Sequence, residues 1–296
     1  MNVLISGATG LIGSALSEEL ERGGHSITRL TRSPRSENDL RWDPDAGTIS
    51  GSLEGHDAVV HLAGESIAEG RWTPEKKRRI LQSRMKGTRL LAESVAKLAT
   101  PPGVMVSASA VGYYGDRGNE VLREDSSPGS DFLAEVCKAW EAAADPAREA
   151  GIRVVHPRFG IVLSPEGGAL GRTLSIFKLG GGGRIGSGRQ WWSWVALDDV
   201  VGAIVHALTD DSVEGPVNVG SPHPMPNAEY TKVLGKVLNR PTVFPVPAPA
   251  LRVAIGGVAD ALLLASQRMQ PAKLQETGYA FRYPELEDAL RHLLGR

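Results

Sequence analysis

The sequence predicts an α/β fold with a doubly wound parallel sheet and a smaller C-terminal lobe. Short apolar runs alternate with longer segments whose apolar residues recur every three or four positions, and alternating strands and helices are typical of parallel sheets. The first apolar run, Asn2–Ser6, leads through a glycine-rich turn into a helical segment. After residue 163 this pattern loosens, and a run of four glycines at 180–183 indicates a change of architecture.

The N-terminal part of the chain carries most of the regular pattern. We predict strands at Asn2–Ser6, Ser26–Thr31, Leu40–Trp42, Asp57–Leu62, Val104–Ser107 and Ile152–His156. We predict helices from Leu11 to the Gly23-Gly24 stop, over Pro74–Leu98 and from Phe132 to Ala144. A further short strand is expected at Val217–Val219.

The composition favours a globular protein with a small-molecule partner. A chain of 296 residues with 41% hydrophobic and 23% charged content can bury a full core. A formal net charge of −1 argues against nucleic-acid and membrane-surface partners, which require a sustained excess of basic charge. No stretch approaches the roughly 20 apolar residues of a membrane helix. We expect a monomer or a homodimer.

Cysteine content and the N-terminal residues favour a cytoplasmic location. The single cysteine, Cys137, cannot form an internal disulfide. The chain runs from Met1 directly into an apolar strand, with no basic segment or cleavage site before it.

The turn after the first strand reads Gly7-Ala8-Thr9-Gly10-Leu11-Ile12-Gly13. The first glycine permits a tight turn, the second lets the backbone approach a diphosphate, and the third lets helix and strand pack closely. Free amides at the helix start hold the phosphate charge. In this context the spacing predicts a Rossmann-type dinucleotide site, and the alternative is an ordinary glycine-rich turn. The predicted cofactor-binding residues here are Gly7, Thr9, Gly10, Leu11, Ile12 and Gly13.

Thr31 and Arg32 stand at the end of the second predicted strand. NAD-preferring domains usually place a carboxylate there to bind the ribose 2′-hydroxyl. A guanidinium instead holds a 2′-phosphate through charge-assisted hydrogen bonds. The sequence therefore predicts NADP as the cofactor, bound by Thr31 and Arg32, and the alternative is a solvated surface arginine.

We predict a dinucleotide-binding Rossmann domain over residues 1–163, to which residues 196–220 return. Residues 164–195 and 221–296 would form the substrate lobe. In that lobe Trp191, Trp192 and Trp194 either cover a ligand as a lid or anchor the lobe. Asp198-Asp199 is expected to cap the helix that follows.

Taken together, several segments resemble the atypical extended short-chain dehydrogenases/reductases, and more narrowly their NADP-binding "epimerase family" group with its own C-terminal domain. The resemblance spans nearly the whole chain. It is carried by Gly7 to Gly13, Thr31-Arg32-Ser33-Pro34, His61-Leu62-Ala63-Gly64-Glu65, Arg71-Trp72, Ser83-Arg84, Ser107 to Gly115, Gly186 to Asp199 and Thr277-Gly278-Tyr279 to Pro284.

The resemblance implies further cofactor contacts. Leu62, Ala63 and Gly64 would line the adenosine and ribose, and Arg84 would reach the phosphates. Ser107 and Lys138 would border the cofactor, and the backbone of Arg158-Phe159-Gly160 would approach the nicotinamide. No metal is predicted, because no other histidine, cysteine or carboxylate stands at metal-ligand spacing from His61. The basic run Lys76-Lys77-Arg78-Arg79 is expected to be a solvated helix face.

The catalytic pattern implied by the resemblance is incomplete. The superfamily uses a serine, a tyrosine general acid/base and a lysine four residues after the tyrosine. Ser109 matches the serine and Lys138 matches the lysine, but position 134 is alanine, and a methyl group cannot transfer a proton. Tyr113 or Tyr114 is the nearest substitute.

Two functions remain open from the sequence. The first is an NADP(H)-dependent oxidoreductase or epimerase that acts on a small carbonyl or hydroxyl compound, with nucleotide sugars suggested by analogy alone. The second is a catalytically silent NADP-binding regulatory or scaffold protein connected with division, which the alanine at position 134 supports.

Overall fold

The computed structural model describes residues 1–296. The strands are β1 (Asn2–Ser6), β2 (Ser26–Thr31), β3 (Leu40–Asp43), β4 (Thr48–Ser50), β5 (Ala58–His61), β6 (Val104–Ser107), β7 (Ser109–Ala110), β8 (Val121–Leu122), β9 (Arg153–Phe159), β10 (Ile161–Ser164), β11 (Trp191–Trp192), β12 (Trp194–Ala196), β13 (Gly215–Val219), β14 (Met225–Pro226) and β15 (Arg268–Met269). The α-helices are α1 (Leu11–Arg22), α2 (Pro74–Val95), α3 (Phe132–Ala142), α4 (Asp145–Glu149), α5 (Gly168–Lys178), α6 (Leu197–Thr209), α7 (Asn227–Leu238), α8 (Ala248–Ile255), α9 (Ala272–Glu276) and α10 (Leu286–Leu294). A 3₁₀ turn spans Val111–Tyr114 and a π-helical turn spans Ala259–Leu264.

One large sheet organises the N-terminal part of the molecule. Its strand order is β13-β9-β6-β5-β1-β2-β3-β4, with β7 also paired to β9. All of its pairings are parallel except β3 with β4. Parallel strands place their carboxyl ends at one edge, where ligands of such sheets bind. The predicted α/β fold class is confirmed.

Helices cover both faces of this sheet. Apolar residues of β1, β5, β6, β9 and β13 form one core with α1 and α6. On the other face, residues of β1, β5, β6 and β9 pack against α2 and α4. Strands covered on both sides are expected to be continuously apolar, and β5 and β6 are buried at every position.

A separate core lies in the C-terminal lobe. It joins apolar residues of α5, α7 and α10 to Trp192 and Trp194, which are both buried. The two indoles donate to the carbonyls of Leu263 and His223. These two tryptophans therefore anchor the lobe, while Trp191 is half-buried. The boundaries predicted at residues 163, 196 and 220 stay a prediction.

The structure differs from the sequence-based expectations in several local features. Strands β3 and β4 form a hairpin whose second strand was not predicted. Helix α2 ends at Val95, before the predicted Leu98, whereas β9 runs on to Phe159. None of the helices combines the length and the apolar character needed to cross a membrane.

The expected cap at Asp198-Asp199 is wrong. Helix α6 already begins at Leu197, and no side chain caps it. The buried carboxylate of Asp199 instead accepts backbone N–H groups of Arg282 and Tyr283, at 2.7 and 3.0 Å. It therefore ties the C-terminal segment to α6, a long-range contact that local spacing does not reveal.

Candidate functional site

The turn between β1 and α1 requires glycine at two positions for steric reasons. Gly7 has a φ of +76°, and a Cβ there would lie 2.8 Å from the backbone of Leu62 and Ala63. A Cβ at Gly13 would lie 2.2 Å from the carbonyl oxygen of Gly7. The turn therefore packs closely against the residues that follow β5 and against the first turn of α1.

The start of α1 is free to hold an anion. No side chain caps it, and its first turn contains no acidic residue. A Cβ at Gly10 would meet only the Gly7 carbonyl oxygen, at 3.3 Å, so the backbone there is otherwise open. A groove of about 570 Å³ lies beside this helix start, with Thr9, Leu11 and Pro165 among its lining residues. Uncapped helical amides beside open space fit a diphosphate.

The end of β2 presents a cation and no carboxylate. Thr31 is half-buried, and its hydroxyl accepts the N–H of Ser33 at 3.3 Å. Arg32 is exposed, and it takes part in none of the ion pairs of this region, which join Lys76 to Glu65 and Lys86 to Asp45. An unpaired guanidinium at this position fits a 2′-phosphate.

The segment after β5 is held by α2. The guanidinium of Arg84 lies against Gly64 and 4.7 Å from the ring of Trp140, and it donates to the Glu65 carbonyl at 2.9 Å. Burial lowers the pKa of Arg84. Arg84 thus holds the backbone at Gly64 and Glu65, and its predicted contact with cofactor phosphates stays a prediction.

Buried polar groups cross the sheet just below its carboxyl edge. Ser6 pairs with His61, and His61 with Ser107, in the register of β1, β5 and β6. The Ser6 hydroxyl lies 2.5 Å from Nδ1 of His61, whereas the Ser107 hydroxyl and His61 Nε2 have no partner. Burial lowers the pKa of His61 to about 4, so it is a neutral, packed imidazole. Ser107 is fully buried, and its predicted cofactor contact stays a prediction.

Ser109 belongs to a buried ionic network. Its hydroxyl donates to Oε1 of Glu141 at 2.7 Å. Arg158 binds the same carboxylate through Nε and Nη2, at 2.8 and 2.9 Å. The Arg158 side chain is only 2% exposed. Because an ionised carboxylate only accepts, the Ser109 hydrogen points to Glu141. Ser109 is itself buried, at 2% exposure.

The structure separates the roles of the two candidate tyrosines. Tyr114 is fully buried, donates to Oδ1 of Asn218 at 2.6 Å and accepts from Arg158 Nη1 at 2.9 Å. Burial raises the pKa of Tyr114 to about 12. Tyr113 is half-buried, and its ring lies 3.4 Å below the Arg158 guanidinium. Of the two, Tyr113 is therefore the tyrosine that a substrate can reach.

Two of the remaining predicted features lie one turn apart on the same side of α3 but differ in burial. Ala134 is fully buried, whereas Lys138 is exposed and has no hydrogen-bond partner in the protein. Cys137 is buried beside the carbonyl of Ala110, and burial raises the pKa of its thiol to about 12. Cys137 is thus an unreactive thiol, and Lys138 is free to approach a ligand.

The segment after β9 meets the C-terminal lobe. Phe159 is buried in the core between the sheet and α6. A Cβ at Gly160 would lie 2.2 Å from the carbonyl oxygen of Ser193, so only glycine fits here. All three N–H-bearing nitrogens of Arg158 are bound within the protein, by Glu141, Tyr114 and the Glu124 carbonyl. The cofactor contacts predicted for Arg158, Phe159 and Gly160 stay predictions, and the Arg158 side chain has no nitrogen left for a ligand.

Two acidic residues of the site were not predicted from the sequence. Glu141 lies seven residues, about two helical turns, after Ala134, so helical spacing alone places it on the same face of α3. Glu65 is bound by Lys76 at 2.7 Å, and Lys76 itself is buried. The expectation of a solvated basic face for residues 76–79 is therefore wrong for Lys76.

Comparison with known families gives two matches along the chain. A model described as "NAD dependent epimerase/dehydratase family" matches residues 3–220. A second one, described as "Domain of unknown function (DUF1731)", matches residues 246–293.

Similar proteins span the full length. "Epimerase family protein Mb2239" of Mycobacterium bovis is 41% identical, with 99% of this chain and 98% of that protein aligned. The crystal structure of human epimerase family protein SDR39U1 with NADPH is 35% identical, covers both chains completely and gives a TM-score of 0.93. The crystal structure of a nucleoside-diphosphate sugar epimerase from Corynebacterium glutamicum is 39% identical, with a TM-score of 0.83 over all of this chain and 58% of that one.

Proposed function

Because this chain belongs to the NAD dependent epimerase/dehydratase family, we propose that it is an NADP(H)-dependent oxidoreductase or epimerase acting on a small carbonyl or hydroxyl compound. The family resemblance inferred from the sequence is confirmed. The observation that carries the proposal is the pairing of an uncapped α1 start with an unpaired Arg32 at the end of β2.

The cofactor part of the proposal has independent support. The human relative was crystallised with NADPH. In this chain Gly10 leaves the helix start open, and Arg32 replaces the carboxylate that NAD-preferring domains use. Leu62, Ala63 and Gly64 would form the wall beside the adenosine, and Arg84 holds the end of this segment at Gly64 and Glu65.

For catalysis, we assign the acid/base role to Tyr113. Bound nicotinamide supplies or accepts the hydride, and a protein group must then move one proton at the substrate oxygen. Tyr113 has a half-buried ring, and its hydroxyl forms no hydrogen bond within the protein. Ser109 would accept a hydrogen bond from a substrate hydroxyl, and Lys138 would hold the cofactor ribose from its exposed position on α3.

Nucleotide sugars are the leading substrate class within this proposal. The support is the relative from Corynebacterium glutamicum, which carries the description of a nucleoside-diphosphate sugar epimerase. The near-neutral charge of the chain favours a small-molecule partner and argues against a nucleic-acid or membrane partner. We further propose a cytoplasmic location and a monomeric or homodimeric state. The substrate would bind to a lobe formed by residues 164–195 and 221–296.

A second candidate is a catalytically silent NADP-binding regulatory or scaffold protein. The specific observation in its favour is Ala134, whose methyl group is fully buried where the superfamily places its catalytic tyrosine. The fold and the cofactor site would be the same in both cases.

Turnover assays separate the two candidates. Purified protein with NADPH and a panel of carbonyl compounds, and with NADP⁺ and the matching alcohols, is followed by nicotinamide absorbance. Nucleotide sugars are added in parallel and their epimers are separated by chromatography. Catalysis that Tyr113→Phe abolishes supports the proposal. Cofactor binding without any turnover across these panels would favour the silent protein.

A further inference from the structure

The two acidic side chains near the end of β2, Asp45 and Glu65, already form ion pairs with lysines. Strand β3 runs parallel to β2, with Thr31 opposite Arg41, and continues into the β3–β4 turn that carries Asp45. Glu65 follows β5, on the other side of β1. The two carboxylates thus flank the carboxyl end of β2, where they would attract Arg32 or repel a phosphate.

Helix α2 supplies a lysine to each of these acids. Lys76 binds Glu65 at 2.7 Å, with Arg79 at 3.7 Å from the same oxygen, and Lys86 binds Asp45 at 2.8 Å. The Lys76–Glu65 pair is the better sheltered one, since the Lys76 side chain is 9% exposed and that of Glu65 34%. The Asp45 side chain is 88% exposed, so water and salt weaken its pair with Lys86.

Glu65 is also fixed in place by its backbone. Its N–H donates to the Ser83 hydroxyl at 3.1 Å, and its carbonyl accepts from Arg84 at 2.9 Å. The hydrogen bond from Lys76 is the main cause that lowers the pKa of Glu65, with smaller contributions from Arg79 and Arg32. Glu65 is therefore a fixed, ionised carboxylate within electrostatic reach of Arg32.

We propose that the Lys76–Glu65 ion pair determines the preference for NADPH over NADH, by neutralising a sheltered acid close to the end of β2 so that Arg32 stays available to a 2′-phosphate. The inference rests on the cofactor part of the proposed function. A 2′-phosphate carries a charge of about −1.5 to −2 at pH 7. Next to an uncompensated Glu65 that charge would be repelled, whereas the 2′-hydroxyl of NADH would not.

The test is a cofactor titration of variants, with Kd values for NADPH and NADH measured by calorimetry on the full chain. Lys76→Met should weaken NADPH binding about 10-fold and NADH binding less than about 2-fold. Glu65→Gln should leave NADPH binding unchanged or tighter. The double variant Glu65→Gln/Lys76→Met should recover most of the lost NADPH affinity, since the repelling charge is gone.

Lys77→Met is the matched control. It makes the same substitution on the next residue of α2, where the ammonium lies over the Phe132 ring and pairs with no acid. If Lys76→Met fails to fold, Arg79→Gln replaces it, and a smaller loss confined to NADPH is expected because that side chain is 56% exposed.

Four outcomes overturn the inference. Equal losses for NADPH and NADH in Lys76→Met would show that Lys76 acts on the fold alone, and so would failure of the double variant to recover. An NADPH-specific loss in Lys77→Met would point to the general charge of α2. Failure of the unaltered protein to bind NADPH would instead refute the proposed function itself, and this inference with it.

Discussion

The guanidinium of Arg158 covers the ring of Tyr113 at 3.4 Å while its nitrogens bind Glu141 from the side. The same carboxylate accepts the hydroxyl of Ser109. One buried ion pair therefore fixes the positions of both side chains to which we assign the chemistry. The predictions below follow from this arrangement and from the cofactor turn.

Glu141→Ala should destabilise the fold by about 3–5 kcal/mol, because it leaves Arg158 buried without its counter-charge. Denaturant unfolding of the variant and the unaltered protein measures the difference. Glu135→Ala on the exposed face of α3 is the matched control and should shift the free energy of unfolding by less than about 0.5 kcal/mol. A loss for Glu141→Ala as small as the control would mean that the ion pair does not hold the site together.

Phenylalanine at positions 113 and 114 should produce opposite results. Tyr113→Phe should reduce turnover by about 10²–10⁴-fold and leave stability nearly unchanged. Tyr114→Phe removes the donor to Asn218 and the acceptor of Arg158, so it should cost about 1–3 kcal/mol of stability. Steady-state rates and unfolding curves on both variants check this. An active Tyr113→Phe protein would remove Tyr113 as the acid/base.

The stability of the protein should fall as pH decreases from 6.5 towards 4. Burial lowers the pKa of His61 and of His156 to about 4 in the folded protein, from an ordinary value of 6.5. In this window the unfolded chain binds protons at both imidazoles and the folded one does not, so protonation favours unfolding. The loss at pH 5 relative to pH 8 is roughly 2 kcal/mol per histidine.

Urea unfolding at pH 8, 6 and 5 measures this effect. His61→Gln and His156→Gln should each show a weaker pH dependence than the unaltered protein. The exposed His223 is the control position, and His223→Gln should leave the pH dependence nearly as it was, because its ion pair with Glu285 is also exposed. Equal stability at pH 8 and pH 5 would show that neither buried imidazole resists protonation.

Alanine at the glycines of the cofactor turn should separate folding from binding. At Gly13 a Cβ meets the Gly7 carbonyl oxygen at 2.2 Å, so Gly13→Ala should cost about 1–3 kcal/mol of stability or more. At Gly10 the closest atom lies at 3.3 Å, so Gly10→Ala should fold normally. It should nevertheless bind NADPH at least about 10-fold more weakly, because its methyl group occupies the phosphate approach. Thermal melting and cofactor titration of the two variants test this contrast.

Local sequence patterns predicted most strands of the large parallel sheet. The bounds of β1, β2 and β6 follow from apolar runs that end at glycine turns or polar residues, and those bounds match the structure. The β3–β4 hairpin was missed because Thr48–Ser50 has only three residues and an ordinary composition, and pairing with β3 defines it. The spacing of apolar residues predicts a helix or a strand when the residues of that segment alone determine its secondary structure.

The site could be predicted only in part, because local patterns do not show which residues distant in sequence come into contact. The glycine turn and Arg32 are adjacent in sequence to the strands that place them. The partners of Ser109 and Arg158 come from α3, 32 and 17 residues away along the chain. Helical spacing places Glu141 on the same face of α3 as Ala134, but no local rule indicates that this face meets β9. The pairing of Glu141 with Arg158 and the burial of the Arg158 side chain therefore emerged only from the packed structure.

Calorimetric titration of NADPH and NADH into the unaltered protein and into Arg32→Gln tests the central claim most directly. The account predicts that the unaltered protein binds NADPH at least about 10-fold more tightly than NADH, and that Arg32→Gln brings the two affinities together by weakening NADPH alone. Absence of binding heat with either dinucleotide, or tighter binding of NADH by the unaltered protein, would contradict it.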